Sequence, residues 1–391
     1  MTRLIEFLIS LAIVVALFLI IGFMLPSSRH FETSVETNRK MTIVYDTLNS
    51  VRRFDDWNPV VLRDPGMERK LAGPDQGVGA RFEYSSDEKG VGDGSWEIVD
   101  SKEDQSVTYA IESDLRGENK RSTFILEPTG RNDRNVKITQ TYDVDYGMNL
   151  LGRYAGMYVS SNMGQDIKLG LSRLSNMLAA VPNYDYDELS KDDPSMAPRV
   201  EERPAQTLLV VGAQVERNND VVQRTMKNNL QWIEKVMKAN NLVADGPLRI
   251  ITNELGGESY SFEVAQPVRK AGGASDDDSA DQAAAADESE AEGDAEAATE
   301  VAAADKAAAP TGPLEIDMQG PVKQVYVEAG TVAAVPFKGH MANLSKVRDA
   351  LRGWALTRGY QTVDRPYDAW LNGLDKGFSE EGQFVVYWAI K

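Results

Sequence analysis

The sequence contains no cysteine and only two histidines, His30 and His340. The first absence removes disulfides, thiolate metal sites and cysteine nucleophiles, and the second removes any multi-histidine metal centre. No Gly-x-Ser-x-Gly, phosphate-binding loop, HExxH or dinucleotide fingerprint occurs. The glycine-rich runs Gly77-Val78-Gly79 and Gly90 to Gly94 fall between expected strands rather than before helices, so they read as hairpin turns. Positive charge is in deficit, with 42 Lys and Arg against 60 Asp and Glu and a formal net charge of −18, which argues against a nucleic-acid-binding role. His30 reads as solvated, and His340, at a helix start, as a capping or packing residue. The acidic group Asp185, Asp187 and Glu188 lacks the fixed spacing of a calcium loop and reads as linker charge. On these grounds no catalytic residue, metal or cofactor is expected, and an enzyme is disfavoured without being excluded.

Long apolar runs are also absent, with one exception. Phe7 to Leu25 reads FLISLAIVVALFLIIGFML, nineteen residues without a charge. At about 1.5 Å per residue such a helix crosses most of a ~30 Å hydrocarbon layer. A cleaved signal peptide has a shorter apolar core and a small-x-small cleavage site, whereas this run leaves through Phe23-Met24-Leu25-Pro26. The expectation is an uncleaved single-pass anchor that meets the lipid bilayer through residues 4–25. Arg3 and the short tail favour a cytoplasmic start and periplasmic domains, while Arg29, Arg39 and Lys40 on the other flank favour the reverse. The bacterial inner membrane is the expected location, with the periplasmic face preferred.

Charge is concentrated in residues 271–310, which hold twelve acidic side chains, one lysine, seventeen alanines and no aromatic. Such a stretch buries too little apolar surface to offset its ordering entropy. It is expected to be a disordered insertion, spanning 270–313, with a protein-partner segment as the alternative.

Between residues 30 and 182 the pattern is strand, helix, several strands, then a long helix. Ile43, Val44, Leu48 and Val51 recur at helical spacing, and the helix should end near Trp57-Asn58-Pro59. Period-two alternation follows at Phe82 and Tyr84, Trp96 and Ile98, Val107 to Ile111, Phe124 and Leu126, and Val136 to Val144, where Gln140 occupies an inward slot. Leu150 to Leu178 supplies a covering helix, with one long gap in its apolar stripe around Gly164. This order resembles the START-like, polyketide cyclase/SRPBCC superfamily. The residues that carry the match are Phe54 to Pro59, Gly77-Val78-Gly79-Ala80, Gly94-Ser95-Trp96-Glu97-Ile98 and the final helix. The resemblance implies a helix-grip fold whose hollow binds apolar or amphipathic small molecules. Trp57, Phe82, Tyr84, Trp96, Tyr109, Phe124, Tyr142 and Tyr158 are its candidate lining residues, with simple core filling as the competing reading.

Residues 183–203 read as a proline-rich acidic linker, and 204–391 as a second domain containing an internal repeat. Each half runs strand, helix, turn with proline, strand, strand: Gln206–Val215, Val221–Asn240, Leu248–Thr252 and Tyr260–Ala265, then Val332–Phe337, Leu344–Arg358, Tyr367–Leu371 and Gln383–Ile390. Gly339-His340, the Trp354 helix and Pro366-Tyr367-Asp368-Ala369-Trp370-Leu371 resemble the GyrI-like effector-binding domain. That resemblance implies a cleft for a small, often cationic ligand, with Asp368 as the carboxylate and Tyr367, Trp370, Tyr387 and Trp388 as aromatic walls. The fold class expected is therefore α+β: an N-terminal membrane helix (residues 1–29), a helix-grip domain and a duplicated GyrI-like domain. The expected function is capture of a small hydrophobic or cationic ligand at a membrane. A cyclase- or hydrolase-type enzyme using the hollow and an envelope scaffold are the alternatives.

Overall fold

The computed structural model describes residues 2–88, 90–255, 257–272, 312 and 314–391. It consists of an apolar N-terminal helix and two antiparallel sheets, each covered on one face by helices. Apart from Ala271 and Gly272, the acidic stretch 271–310 lies outside the described residues. Helix α1 (Thr2–Met24) is long and apolar enough to cross a membrane, and its side chains are exposed almost throughout.

Strand β1 (Ser28–Thr37) follows four residues later, then the short helices α2 (Met41–Leu48), α3 (Phe54–Trp57) and α4 (Val60–Arg63). The sequence suggested one helix from Met41 to Trp57, but it breaks after Leu48. Ser50 donates to the Asp75 carbonyl at 3.2 Å and Asn49 accepts from Ser101 at 2.6 Å, so both side chains bond outside the helix rather than continuing it. The break turns both Phe54 and Trp57 into the core.

Strands β2 (Glu68–Ala72), β3 (Arg81–Ser85), β4 (Gly94–Lys102), β5 (Ser106–Ser113), β6 (Glu118–Thr129) and β7 (Asn135–Asp145) form a meander, closed by β1 in the order β1-β7-β6-β5-β4-β3-β2. Alternation of buried and exposed residues along β5 and β6 shows one face covered. The cover is two helices, not one: α5 (Leu150–Gly156) and α6 (Val159–Ala179). The gap in the apolar stripe at Gly164 has a cause, because a Cβ there would lie 2.8 Å from the Phe31 ring on β1. This is a helix-grip arrangement, as the pattern of elements indicated.

In the second body, β9 (Gln206–Glu216), α7 (Asn219–Ala239), β10 (Leu242–Ala244), β11 (Leu248–Leu255) and β12 (Ser259–Lys270) make the first half. β14 (Gly330–Lys338), α8 (Leu344–Thr357), β15 (Thr362–Trp370), α9 (Gly373–Gly377) and β16 (Gln383–Ile390) make the second. The sheet order β13-β9-β12-β11-β15-β16-β14-β8 places the halves head to head, with β11 against β15 at the centre. Two strands at opposite edges were not foreseen: β8 (Arg199–Arg203) on β14, and β13 (Lys323–Val327) on β9. The expected linker 183–203 is thus partly structural, since its last residues form β8 and Tyr186 is fully buried, donating to Asp46 at 2.6 Å. Arg365-Pro366 is not a turn between strands but a bulge within β15, where the register shifts between Val363 and Tyr367.

Candidate ligand-binding site

The first sheet and α6 enclose a cavity of about 70 Å³. Ligand pockets commonly measure about 300–1,000 Å³, so most of this hollow is occupied by the protein's own side chains. The filling is an aromatic cluster around Phe54, whose ring centroid lies 5.0 Å from Trp57, 4.9 Å from Phe82 and 5.1 Å from Trp96. Tyr109 and Phe124 close it from β5 and β6, 5.9 Å apart.

Of the eight aromatic residues singled out in the sequence, Trp57, Tyr84, Trp96 and Tyr142 line the cavity. Phe82, Tyr109 and Phe124 belong to the packed core behind it, and the Tyr109 hydroxyl is satisfied by the Leu48 carbonyl. Tyr158 lies outside the cavity at the α5–α6 junction and is exposed. Tyr84 and Phe82 alternate onto the same inward face of β3, so the split depends on how the helices pack against the sheet rather than on strand period. Burial raises the pKa of the Tyr84 and Tyr142 phenols, so they remain protonated and act as hydrogen-bonding groups rather than bases.

Two further atoms give the hollow its chemistry. Trp57 Nε1 and Gln140 Oε1 are buried and have no hydrogen-bond partner, while Gln140 Nε2 donates to Ser122 Oγ at 2.9 Å. A buried polar atom left unpaired costs about 1–3 kcal/mol. Both residues line the cavity, although these two atoms are themselves closed off from its open space. Its only charged lining residues are Arg63 on α4 and Asp166 on α6, which bridge to each other at 2.5 Å. Arg63 also donates to the Gly90 carbonyl on the β3–β4 loop at 3.5 Å, so one side chain clasps three elements around the cavity. The sequence marked Gln140 as a polar residue in an inward slot. Arg63 and Asp166 carried no signal of their own, because neither interrupts an apolar stripe.

The second sheet corrects the other expected site. Strand alternation puts Asp368 and Trp370 on the helix-covered face and Tyr367 on the opposite one. Asp368 is 0% exposed and pairs with Arg348 of α8 through both guanidinium Nε, at 3.0 Å, and Nη2. Burial opposes the charge on Arg348, yet the Asp368 carboxylate more than compensates and leaves its pKa raised. Trp370 packs on Phe384 at 5.0 Å in the same layer, and Trp388 donates to the Asp364 carbonyl at 3.2 Å. Only Tyr367 and Tyr387 meet, stacked at 5.0 Å on the open face. Their charged neighbour is Arg249, buried and stacked over Tyr367 at 4.8 Å, with its Nε unpartnered. The structure therefore does not assemble a carboxylate within an aromatic cage here. Among the described residues, no cluster of three or more potential metal-ligating side chains occurs.

Residues 28–178 match the family described as polyketide cyclase / dehydrase and lipid transport. Similar solved structures include the C-terminal domain of EcmrR, at 14% identity over 50% of this chain and 96% of that one, with a TM-score of 0.33. Truncated norcoclaurine synthase from Thalictrum flavum is 12% identical over 39% of this chain and 94% of its own, with a TM-score of 0.31. The protein XoxI from Bacillus cereus is 14% identical over 39% and 96%, with a TM-score of 0.30. A search of curated proteins found no match.

Proposed function

We infer that this chain is a membrane-tethered carrier or sensor that takes an amphiphile into the hollow beneath its first sheet. The observation that carries the reading is the orphan pair, Trp57 Nε1 and Gln140 Oε1, on two residues that line the cavity. Once the hollow opens, ligand hydroxyl or amide groups can accept from the indole and donate to the Gln140 carbonyl oxygen. The match of residues 28–178 to a family that includes lipid transport supports the same reading. Arg63 and Asp166 neutralise each other, so the hollow favours a neutral head group over a carboxylate or an ammonium. Because about 70 Å³ cannot hold a whole lipid, uptake requires the Arg63–Asp166 clasp to open and α4 to move. The two protonated phenols and the paired Asp166 give no free base, which favours binding over cyclase or hydrolase chemistry.

The domain division, with a helix-grip domain at 30–182 and a GyrI-like repeat at 204–391, belongs to this reading, as does retention of α1 as an anchor in a bacterial inner membrane. The test is titration of the full-length protein in detergent with monooleoylglycerol, oleate and an alkane of equal chain length. Monooleoylglycerol is expected to bind tightest. Gln140→Leu and Trp57→Phe should each weaken it by about 0.5–1.5 kcal/mol, roughly two- to tenfold. If no amphiphile binds and none co-purifies in native mass spectrometry, the carrier reading is wrong.

A further inference from the structure

Helix α1 does not stand apart from the first sheet. Tyr154 of α5 donates its hydroxyl to the Phe18 carbonyl at 2.7 Å and stacks on the Phe18 ring, with centroids 4.6 Å apart and planes 11° from parallel. Gly22 admits this approach, because a Cβ there would sit 3.3 Å from both Leu150 and Tyr154. Arg153 then closes the end of α1. Its Nη1 donates to the carbonyls of Phe23 and Leu25 at 3.2 Å each, while Nε and Nη2 donate to Gly147 at 2.9 and 2.6 Å. These are last-turn carbonyls without helical partners, at the negative end of the helix dipole, where a guanidinium is favoured.

The consequence is one of depth. Phe18 lies six residues before Met24, the last residue of α1, which at about 1.5 Å per residue is ~9 Å along the axis. If α1 spans a bilayer, Tyr154 cannot lie above the headgroups. The rest of the segment suits that position. From Met148 to Tyr158 its only charge is Arg153, which is buried and fully engaged. Apart from the capping Asn149, which accepts from Gly152 N, the large outward side chains are apolar or amphipathic: Met148 is 72% exposed, Leu151 56% and Tyr158 62%.

We propose that the α5 segment, residues 148–158, is embedded in the bilayer beside α1 and docks the first sheet onto the lipid surface. This rests on the anchor reading above. The occupant of the exposed α5 face is the acyl and headgroup boundary of the leaflet, because the face is continuous with α1 and the cation beside it, Arg29 of β1 against Gly156, suits the headgroup level. The hollow is brought near the same surface. The Tyr146 ring lies against Gly152 and Gly156 of α5, and also against Gly117 of the β5–β6 hairpin, which carries the cavity-lining, exposed Leu115.

The chain has no cysteine, so single labels need no background substitutions. The full-length protein carrying Leu151→Cys, Ile13→Cys or Lys102→Cys, each labelled with a nitrobenzoxadiazole dye, is reconstituted into phosphatidylcholine vesicles containing doxyl-labelled chains. Leu151 and Lys102 are exposed, so these substitutions spare the core. The expected result is strong doxyl quenching and little iodide quenching at positions 13 and 151, with the reverse at position 102. Iodide quenching at 151 equal to that at 102, with 13 still lipid-quenched, overturns the proposal and leaves the anchor intact. Iodide access at 13 as well refutes the anchor reading itself. Protection at 151 without doxyl quenching, together with crosslinking between copies through that cysteine, assigns the face to a second chain and also overturns the proposal.

Discussion

Replacing Arg348 by Met should be among the most damaging single changes in the second sheet. It leaves Asp368, which is 0% exposed, without the guanidinium that neutralises it. Stranding one partner of a buried ion pair costs about 3–5 kcal/mol. Asp368→Leu alone strands the arginine and should cost a similar amount. The double variant Arg348→Met/Asp368→Leu removes both charges while keeping volume, and such replacements range from neutral to about 1–4 kcal/mol stabilising. Tyr260, which also faces Arg348, keeps its contact with Thr252 at 3.1 Å and is not orphaned by the change. Urea denaturation of the full-length protein in detergent, followed by tryptophan fluorescence, measures all three, and the sum of the single effects should exceed the double by several kcal/mol. The opposite pattern would refute the assignment: a stable Asp368→Leu protein that has lost affinity for a lipophilic cation such as tetraphenylphosphonium. That outcome would return Asp368 to the role of a ligand carboxylate.

Three smaller tests follow from other contacts. Arg63→Gln should change stability by no more than about 1 kcal/mol, because the Asp166 bridge is partly exposed, yet accelerate ligand entry in stopped-flow fluorescence; unchanged rates would show that the clasp is not a gate. Gly164→Ala should destabilise despite alanine's better helix propensity of about 1 kcal/mol, because its Cβ lies 2.8 Å from the Phe31 ring on a strand that cannot yield cheaply; a raised melting temperature would contradict this. The pKa of Asp187 is raised to about 6, chiefly by partial desolvation against the neighbouring chain and then by Asp46 and Asp185. An acid with a raised folded-state pKa binds more protons folded than unfolded, so its contribution to stability falls as pH rises from about 4 to about 6. The side chain is exposed, so the effect is small, and Asp187→Asn should remove it from the pH dependence of the melting temperature.

Much of the fold was legible because strand alternation and helical stripes are local. The main strands and helices of each body follow the apolar periods, and even the interruption at Gly164 was visible as a gap that Phe31 later fills. The strands that escaped were edges: β2 is exposed along almost its whole length, so no alternation marks it. The Asp368 expectation failed for a reason present in the sequence. Tyr367 and Asp368 are adjacent in a strand, so they must face opposite ways. Arg348 stands at i+4 from Leu344 and three before Leu351, inside the apolar stripe of α8, where a charge calls for a buried partner. Reading those two facts together pairs Asp368 with Arg348. The aromatic lining was half legible, since alternation tells which rings face inward but not which of them touch empty space. That depends on how closely α3 and α6 approach the sheet, which is a property of the packed whole.

The contact between α1 and α5 bears on the choice between an anchor and a signal sequence more directly than any flanking pattern. A signal sequence is discarded, so the folded domain should not depend on it for satisfied polar groups. Here Arg153 takes the Phe23 and Leu25 carbonyls as partners, and Gly22 is shaped to receive Leu150 and Tyr154. Removing α1 would leave a buried guanidinium short of acceptors and an α5 face that is apolar on two sides. On the anchor reading, Arg153 finds its acceptors at the carbonyl end of the chain's own apolar helix, an arrangement that favours retention of that helix. The same contact ties the hollow to the helix, because Tyr146 buttresses both α5 and the hairpin at the cavity. On the proposed reading, anchor, docking segment and hollow form one mechanical unit, and a ligand drawn from the leaflet gives all three a use.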